Sequence, residues 1–470
     1  MTSLAAWLAS LDAAALADVI RRRPDAAWPQ PPESLEDLAE RLAHRRAVLS
    51  ALLPLARPVV QTAEAMAALG RTCTRTDLAA LLGVSDGTGA GRALDESVSE
   101  LRRAALVWPD GDQPADRLRT GSLREAWPHP LGLGPPLADL LSEQTVDALR
   151  QIVAHLPLAV RRLKKDVVAD LAAWLSDPAN LRPLVDSAPP DSRELLLAAA
   201  RDGSTESDPT VYGFQPSPAE QWAIERGLLF GSRWGFTKVM AREVALALRG
   251  PDYHAPFDPD PPAVPTTAVT AEAVERESAA AASAAVALVA ALLEQCSNQP
   301  VALLKSGNGI GARELRRLAK AVDGDESRVA FWIDVAYAAG LLEATADGLV
   351  PTQDYDTWRD EQPGGRLVEL VAAWWDLPRS PLREQTDGYD LDDDGLAEAL
   401  REALLTAAIL PALGRSGPNT ELLPAGAAVA SGEVLAPALA YRYPLLTEGV
   451  DDLEGWCTAL WREAELVGVV

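Results

Sequence analysis

At ~150 residues per domain, the 470-residue chain has room for about three domains, each able to bury a core. Asp plus Glu outnumber Lys plus Arg by 68 to 43, a formal charge of −25 that argues against a protein coating DNA indiscriminately through its phosphates. With 48% hydrophobic residues the chain folds, and 5% aromatics in an Ala/Leu-rich background favour helix over sheet.

The opening LAAWLASLDAAALADVIRRRPD places Leu4, Leu8, Leu11, Leu16 and Ile20 near helical spacing, and Pro24 ends the pattern. A Pro-rich elbow, Trp28-Pro29-Gln30-Pro31-Pro32, follows. Ser34 with Asp37 three residues on reads as an N-cap opening a helix through Leu53. Pro54 and Pro58 are expected to break it before a further run, Val59 to Leu69. The first twenty residues lack a positive n-region and contain Asp12 and Asp18, so no signal peptide is expected and the cytoplasm is the default. The longest apolar run, Ala279 to Leu293, is fifteen residues, short of the ~20 a membrane span needs, so no membrane association is expected.

A long-period repeat organises the rest. Four times a helical run ends in a small or polar residue, then Leu, then Leu or Val: AALVW at 104–108, RGLLF at 226–230, AGLLE at 339–343 and AELVG at 464–468. Their central leucines, Leu106, Leu228, Leu341 and Leu466, are 122, 113 and 125 residues apart. The first three are followed by two short extended runs around a turn, and upstream lie further helices, before the third copy 311–322 and 327–340. Three helices closed by a two-stranded hairpin is the layout of a winged helix. The fourth copy stops at Val470, where its hairpin would begin. Pro-rich or polar stretches at 128–136, 251–270 and 376–395 mark boundaries.

The expected fold class is therefore mainly α with small β-hairpins, in tandem winged-helix (helix-turn-helix variant) modules. The expected divisions are 1–44, an N-terminal helical segment; 45–127, module 1; 137–250, helices plus module 2; 251–270, a linker; 271–375, module 3; and 395–470, a partial module 4.

The chain resembles the helicase-associated proteins of high-G+C bacteria, whose distal part is similar to the N-terminal domain of XPB-type DNA repair helicases. The residues carrying the resemblance are the opening segment with its Pro-rich sequel, LGLGPPLADLL (131–141), RGLLF with AREVALALRG (241–250), and GNGIGARELRRLAKAV with AYAAGLL. Where the family has Pro before REVALALRG, this chain has Ala241. The family continues past Val470, so the XPB-like portion is expected to be missing. The resemblance implies a helicase context and a helicase-type or other DNA-repair partner, not a reaction.

Enzymatic motifs are weak. A nucleotide-driven motor needs GxxxxGK[ST], and none occurs; Gly307-Asn308-Gly309-Ile310-Gly311 lacks the following Lys-Ser/Thr and reads as a turn. Asp360-Glu361-Gln362-Pro363 means little without a phosphate loop. Asp390-Leu391-Asp392-Asp393-Asp394-Gly395 fits the first half of a calcium loop, but Arg401 stands where the twelfth-position Glu belongs. His44, His129, His155 and His254 show no HExxH or triad spacing, and Cys73, Cys296 and Cys457 lie too far apart for a CxxC pair. No catalytic residue, metal or cofactor is expected.

Basic clusters remain. Arg161, Arg162, Lys164 and Lys165 put four positive charges in five residues, and Lys305, Arg313, Arg316, Arg317 and Lys320 face one acid, Glu314. Arg102 and Arg103 precede the first wing; Arg233, Trp234 and Lys238 occupy the second. Arginine forks suit phosphate and guanine. Helix 327–340 is mostly apolar and suits protein contact rather than DNA. The expected function is a non-enzymatic accessory protein of DNA transactions; the alternative is an acidic interaction scaffold with no nucleic-acid role.

Overall fold

A computed structural model describes residues 3–111, 117–202, 204–206, 216–231, 237–304, 309–383, 395–409 and 426–470. The chain is mainly helical, with small two- and three-stranded antiparallel sheets. It divides into two compact units, Met1–Pro259 and Asp260–Val470, the border falling inside the Pro-rich stretch 251–270.

The first unit opens with α1 (Leu4–Ala9), α2 (Ala13–Arg22), α3 (Pro24–Ala27), α4 (Leu35–Ala43), α5 (Arg45–Leu52) and α6 (Arg57–Leu69). Two long runs expected from periodicity are each split by a cap. Asp12 Oδ1 accepts from Ala15 N at 2.8 Å and starts α2 afresh, and His44, with ψ 137°, turns the backbone out of helix between α4 and α5. Ser34 does cap α4, its Oγ accepting from Asp37 N at 3.1 Å. Pro58 does not precede α6; it sits in the first turn, where its missing N–H has no intrahelical partner to lose.

Next come β1 (Thr72–Thr74), α7 (Arg75–Leu82), α8 (Gly89–Arg103), β2 (Trp108–Pro109), β3 (Arg117–Arg119) and α9 (Leu123–Ala126). The sheet order is β1-β3-β2, with Leu118 opposite both Cys73 and Pro109. Leu4, Trp7, Leu8, Val19, Leu38 and Leu42 pack with Ala105 and Trp108 in one buried cluster. Residues 1–44 thus share a core with the corner between α8 and β2.

The remainder of the unit is α10 (Leu137–Glu143), α11 (Val146–Ala154), α12 (Lys164–Leu175), α13 (Pro178–Asp186), α14 (Pro190–Asp202), β4 (Ser204–Glu206), α15 (Pro218–Glu225), β5 (Phe230–Gly231), β6 (Thr237–Val239) and α16 (Arg242–Arg249). Here the order is β4-β6-β5, again with the last strand of the chain segment in the middle. The stretch 128–136, read as a boundary, is packed: Leu133 is fully buried and Arg242 N donates to Pro135 O at 3.0 Å.

The second unit contains β7 (Thr267–Ala268), α17 (Ala271–Asn298), α18 (Ala312–Ala321), α19 (Glu326–Ala338), β8 (Leu342–Thr345), β9 (Gly348–Pro351), α20 (Asp354–Asp360), α21 (Pro363–Trp375), α22 (Leu396–Ile409), β10 (Ala427–Ala428), α23 (Ala436–Arg442), α24 (Pro444–Thr447) and α25 (Leu453–Val467). β8 and β9 form a hairpin, and Val301 bridges Leu349 on its other edge, so the order Val301-β9-β8 repeats the sheet pattern of the first unit. At 28 residues, α17 is long and apolar enough to cross a membrane by length and composition, yet Ala285, Val289, Leu292, Leu293 and Cys296 on it are buried in the unit's core. Segment 395–470, read as a separate partial module, belongs to that same core: Leu400, Leu404, Trp456, Leu460 and Ala464 pack with Trp332, Leu370 and Trp374.

The four repeat copies are three of one kind and one of another. After α8, α15 and α19 the residue before the central leucine is left-handed (Ala105 φ 55°, Gly227 φ 67°, Gly340 φ 72°), and the leucine N–H reaches back to Leu101 O, Ala223 O and Ala336 O. This Schellman turn ends the helix and aims the next residues into a strand. In the fourth copy Glu465, Leu466 and Val467 are still helical, and the left-handed residue is Gly468, φ 76°. The spacing matched, but the turn lies three residues later.

Candidate nucleic-acid interface

Folding divides the twelve predicted cationic contacts by what each already holds. On α8, Arg102 and Arg103 are exposed in the last turn. That is the carbonyl end, where cations complement the helix dipole, whereas a groove-reading helix presents its N-terminal residues. The rest of that exposed surface is mixed, with Asp95 and Glu96 beside Arg92, and Asp95 is held by Arg75 at 3.0 Å.

In the 161–165 strap, Arg161 Nε donates to Asp170 Oδ2 at 2.6 Å, a hydrogen bond that raises the pKa of Arg161. Lys164 Nζ donates to Ser142 O at 2.7 Å, one of the free carbonyls at the end of α10. Arg162 and Lys165 stay exposed, with Leu163 between them 51% exposed and Val160 just before the cluster 72% exposed. The strap therefore offers two uncommitted cations, not four.

Lys238 is a correction. It lies on β6 opposite Gly231 and Thr205 and is 8% exposed, so it is packed rather than presented to phosphate. The period of two in a three-residue strand is too short to reveal which face Lys238 takes. Arg233, Trp234 and Lys305 lie outside the described residues.

Helix α18 makes the best surface. Arg313, Arg316 and Lys320, spaced i, i+3 and i+7, are exposed along one face. Arg316 also reaches Glu326 at 3.3 Å, an exposed pair of little energetic weight. Arg317 points the other way: it is 27% exposed, its Nε donates to Glu314 at 2.9 Å, and its Nη2 is buried without a hydrogen-bond partner among the described residues. On the opposite face Leu318 and Ala319 are buried.

Helix α19, expected to offer an apolar contact surface, is turned inward. Val329, Phe331, Trp332 and Val335 are fully buried in the core of the second unit, leaving Tyr337 exposed. Its apolarity serves internal packing. On α21, Leu367, Val368, Val371, Ala372 and Trp375 line a shallow groove; Val368 is 68% exposed, while Leu367, Val371 and Trp375 are half-buried against the core.

Two described clefts are lined by polar side chains, one near α16 and one lined by Asp25, Asp37, Glu40, Arg41 and His44. The one near α16 has a volume of about 740 Å³ and is lined by Glu64, Arg249, Tyr253 and His254. Its polar groups are engaged with one another and with backbone: Glu64 accepts from Leu131 N, and Arg249 donates to Ala200 O, Leu131 O, Arg201 O and Tyr253 Oη. Among the described residues no group of three or more His, Cys, Asp or Glu side chains could hold a metal. Residues 390–394 of the calcium-loop motif lie outside the described residues, while Arg401, at its twelfth position, is buried in the core.

The three cysteines are buried, and burial pushes the thiols of Cys73 and Cys457 up to about 12 and that of Cys296 to about 11, from 9.0. Native protein at pH 8 is expected to resist a thiol reagent at all three positions and to react fully in denaturant, as counted by mass spectrometry. Because the folded thiols bind their protons more tightly, their contribution to stability falls as pH rises above 9.0, and urea midpoints between pH 9 and 11 test that sign.

No protein-family model matches the chain, and no curated protein or solved structure is similar to it.

Proposed function

We propose that the chain is a non-enzymatic accessory protein of DNA transactions whose winged-helix modules bind DNA, a helicase-like partner, or both. What supports the modules is element order: helix, strand, helix, helix, strand, strand occurs in 57–119 and, with Val301 as the first strand, in 271–351. A shorter variant, with a single described helix between β4 and β5, occurs in 190–239. The observation that carries DNA contact is the exposed row Arg313, Arg316 and Lys320 on α18, with Arg162 and Lys165 as a secondary patch. The helicase-like or DNA-repair partner is what the family resemblance implies, and the cytoplasm is the proposed site of action.

The test is fluorescence anisotropy with single- and double-stranded DNA at about 50 mM salt. Three phosphate contacts from α18 give a slope of log K against log salt of about −2.7 on duplex DNA. Replacing Arg313, Arg316 and Lys320 by Glu is expected to abolish the interaction. Undetectable or salt-independent binding would sink the DNA reading.

The charge of −25 favours a second reading, an acidic scaffold that meets proteins and not DNA. The shallow groove on α21, with Val368 exposed, supplies its surface. Under that reading DNA binding is absent even at low salt, and Val368→Glu removes partners that copurify with the wild-type chain.

A further inference from the structure

We propose that Arg71, Arg124 and Arg242, distant in sequence and outside every basic run, form a binding site for a phosphate group in the first unit. Three segments meet there. Gly70 turns the chain at φ 118°, and a β-carbon at that position would lie 3.4 Å from both terminal nitrogens of Arg242. The next residue is Arg71. Thr120 ties this turn down, its N–H donating to Arg71 O at 3.2 Å and its hydroxyl to Gly70 O at 2.6 Å. Leu123 N then donates to Thr120 O at 3.0 Å, starting the short helix that carries Arg124.

The cluster holds more positive charge than its neighbours neutralise. Arg242, with a side chain 11% exposed, gives one hydrogen bond to Glu243 Oε1 at 2.8 Å, and the other oxygen of Glu243 accepts from Leu137 N at 2.8 Å. Among the described residues neither the Arg71 nor the Arg124 guanidinium has a hydrogen-bond or ion-pair partner. Burial and the neighbouring Arg242 and Arg71 lower the pKa of Arg124, with Asp139 and Glu243 acting in the opposite sense. Arg71 is exposed and Arg124 and Arg242 are half-buried, so water screens part of the repulsion among them and an anion relieves the rest. Guanidinium forks carried on three separate segments suit the oxygens of a tetrahedral phosphate, free or within a phosphodiester.

The site does not depend on the α18 surface, so the two readings fail separately. Isothermal titration of the full chain with inorganic phosphate, and separately with an oligonucleotide lacking terminal phosphates, assigns the source. Heat from phosphate alone indicates a free or terminal group; heat from both indicates a nucleic-acid backbone. Arg124→Ala and Arg71→Gln are each expected to weaken phosphate binding about tenfold or more, the loss of one charge-assisted hydrogen bond. The Glu variant of α18 should leave phosphate binding unchanged. In phosphate-free buffer Arg124→Ala should melt no lower than wild type, because it relieves repulsion. Absence of heat with both probes overturns the proposal, as does unchanged affinity in Arg124→Ala with a lowered melting temperature, the signature of a structural arginine.

Discussion

Glu463→Ala is expected to destabilise the second unit by about 3–5 kcal/mol, the cost of leaving a buried charge without its counterion. Glu463 is fully buried and each of its oxygens is in use. Oε1 accepts from Ser380 Oγ at 2.6 Å and Leu382 N at 3.1 Å; Oε2 accepts from Trp374 Nε1 at 3.0 Å and faces Arg401 Nη2 at 3.5 Å. Arg401, also fully buried, donates to the carbonyls of Trp375, Leu377 and Arg379 at 3.1, 2.7 and 2.9 Å. Burial lowers the pKa of Arg401, and Glu463 pulls it back up. Together the pair stitches the end of α21, the segment after it, α22 and α25 into one body. Removing the carboxylate strands both a guanidinium and three donors in a low-dielectric core. Urea unfolding with hydrogen exchange resolved by segment measures the loss and places it in α21, α22 and α25. The double replacement Arg401→Met, Glu463→Leu should recover only the part owed to the unpaired charge, because Ser380 Oγ, Leu382 N, Trp374 Nε1 and the carbonyls of Trp375, Leu377 and Arg379 still lose their partners. A Glu463→Ala protein with unchanged midpoint would show that the pair contributes nothing.

The second large effect is expected at Arg23. Its side chain is 1% exposed, pairs with Asp25 through Nε and Nη2 at 3.1 Å, and donates to Ala104 O and Leu42 O at 3.1 and 3.3 Å. Ala104 stands at the end of α8 and Leu42 in α4, so this one guanidinium joins the first helices to the corner before β2. Arg23→Met keeps the stem and removes the fork. It is expected to cost about 3 kcal/mol, because two buried carbonyls and one carboxylate lose their donor. Hydrogen exchange should then accelerate in α1 to α4 first; equal exchange in wild type and variant would refute the assignment. By contrast Arg22→Met, one residue away on an exposed pair with Asp18, should change stability within about 0.5 kcal/mol.

The contrast between Arg22 and Arg23 shows where sequence reading stops. Both stand in the same triple-arginine run, and nothing local distinguishes a solvated cation from one that bridges residues 81 positions apart. Arg401 is the sharper instance. Read as the wrong ligand in a calcium loop, it is a core residue whose partner lies 62 positions further on. Likewise, α19 reads as an apolar contact surface and is a central core helix. Periodicity tells that a face is apolar, not whether the protein itself or a partner covers it.

The amino-acid order by itself determined the local grammar: helical content, the Ser34 cap, and the ends of α8, α15 and α19 with the short strands that follow them. These depend on contacts within a few residues, so a linear string encodes them directly. Tertiary structure alone decided which cations remain free. Asp170 and Ser142 claim Arg161 and Lys164, folding leaves Lys238 on β6 only 8% exposed, and α18 keeps Arg313, Arg316 and Lys320 in water. It also gathered Arg71, Arg124 and Arg242, whose field exists only once segments 50 and 100 or more residues apart are folded against each other. Charge acts through space, and the distances that set its strength are fixed only when the chain has packed.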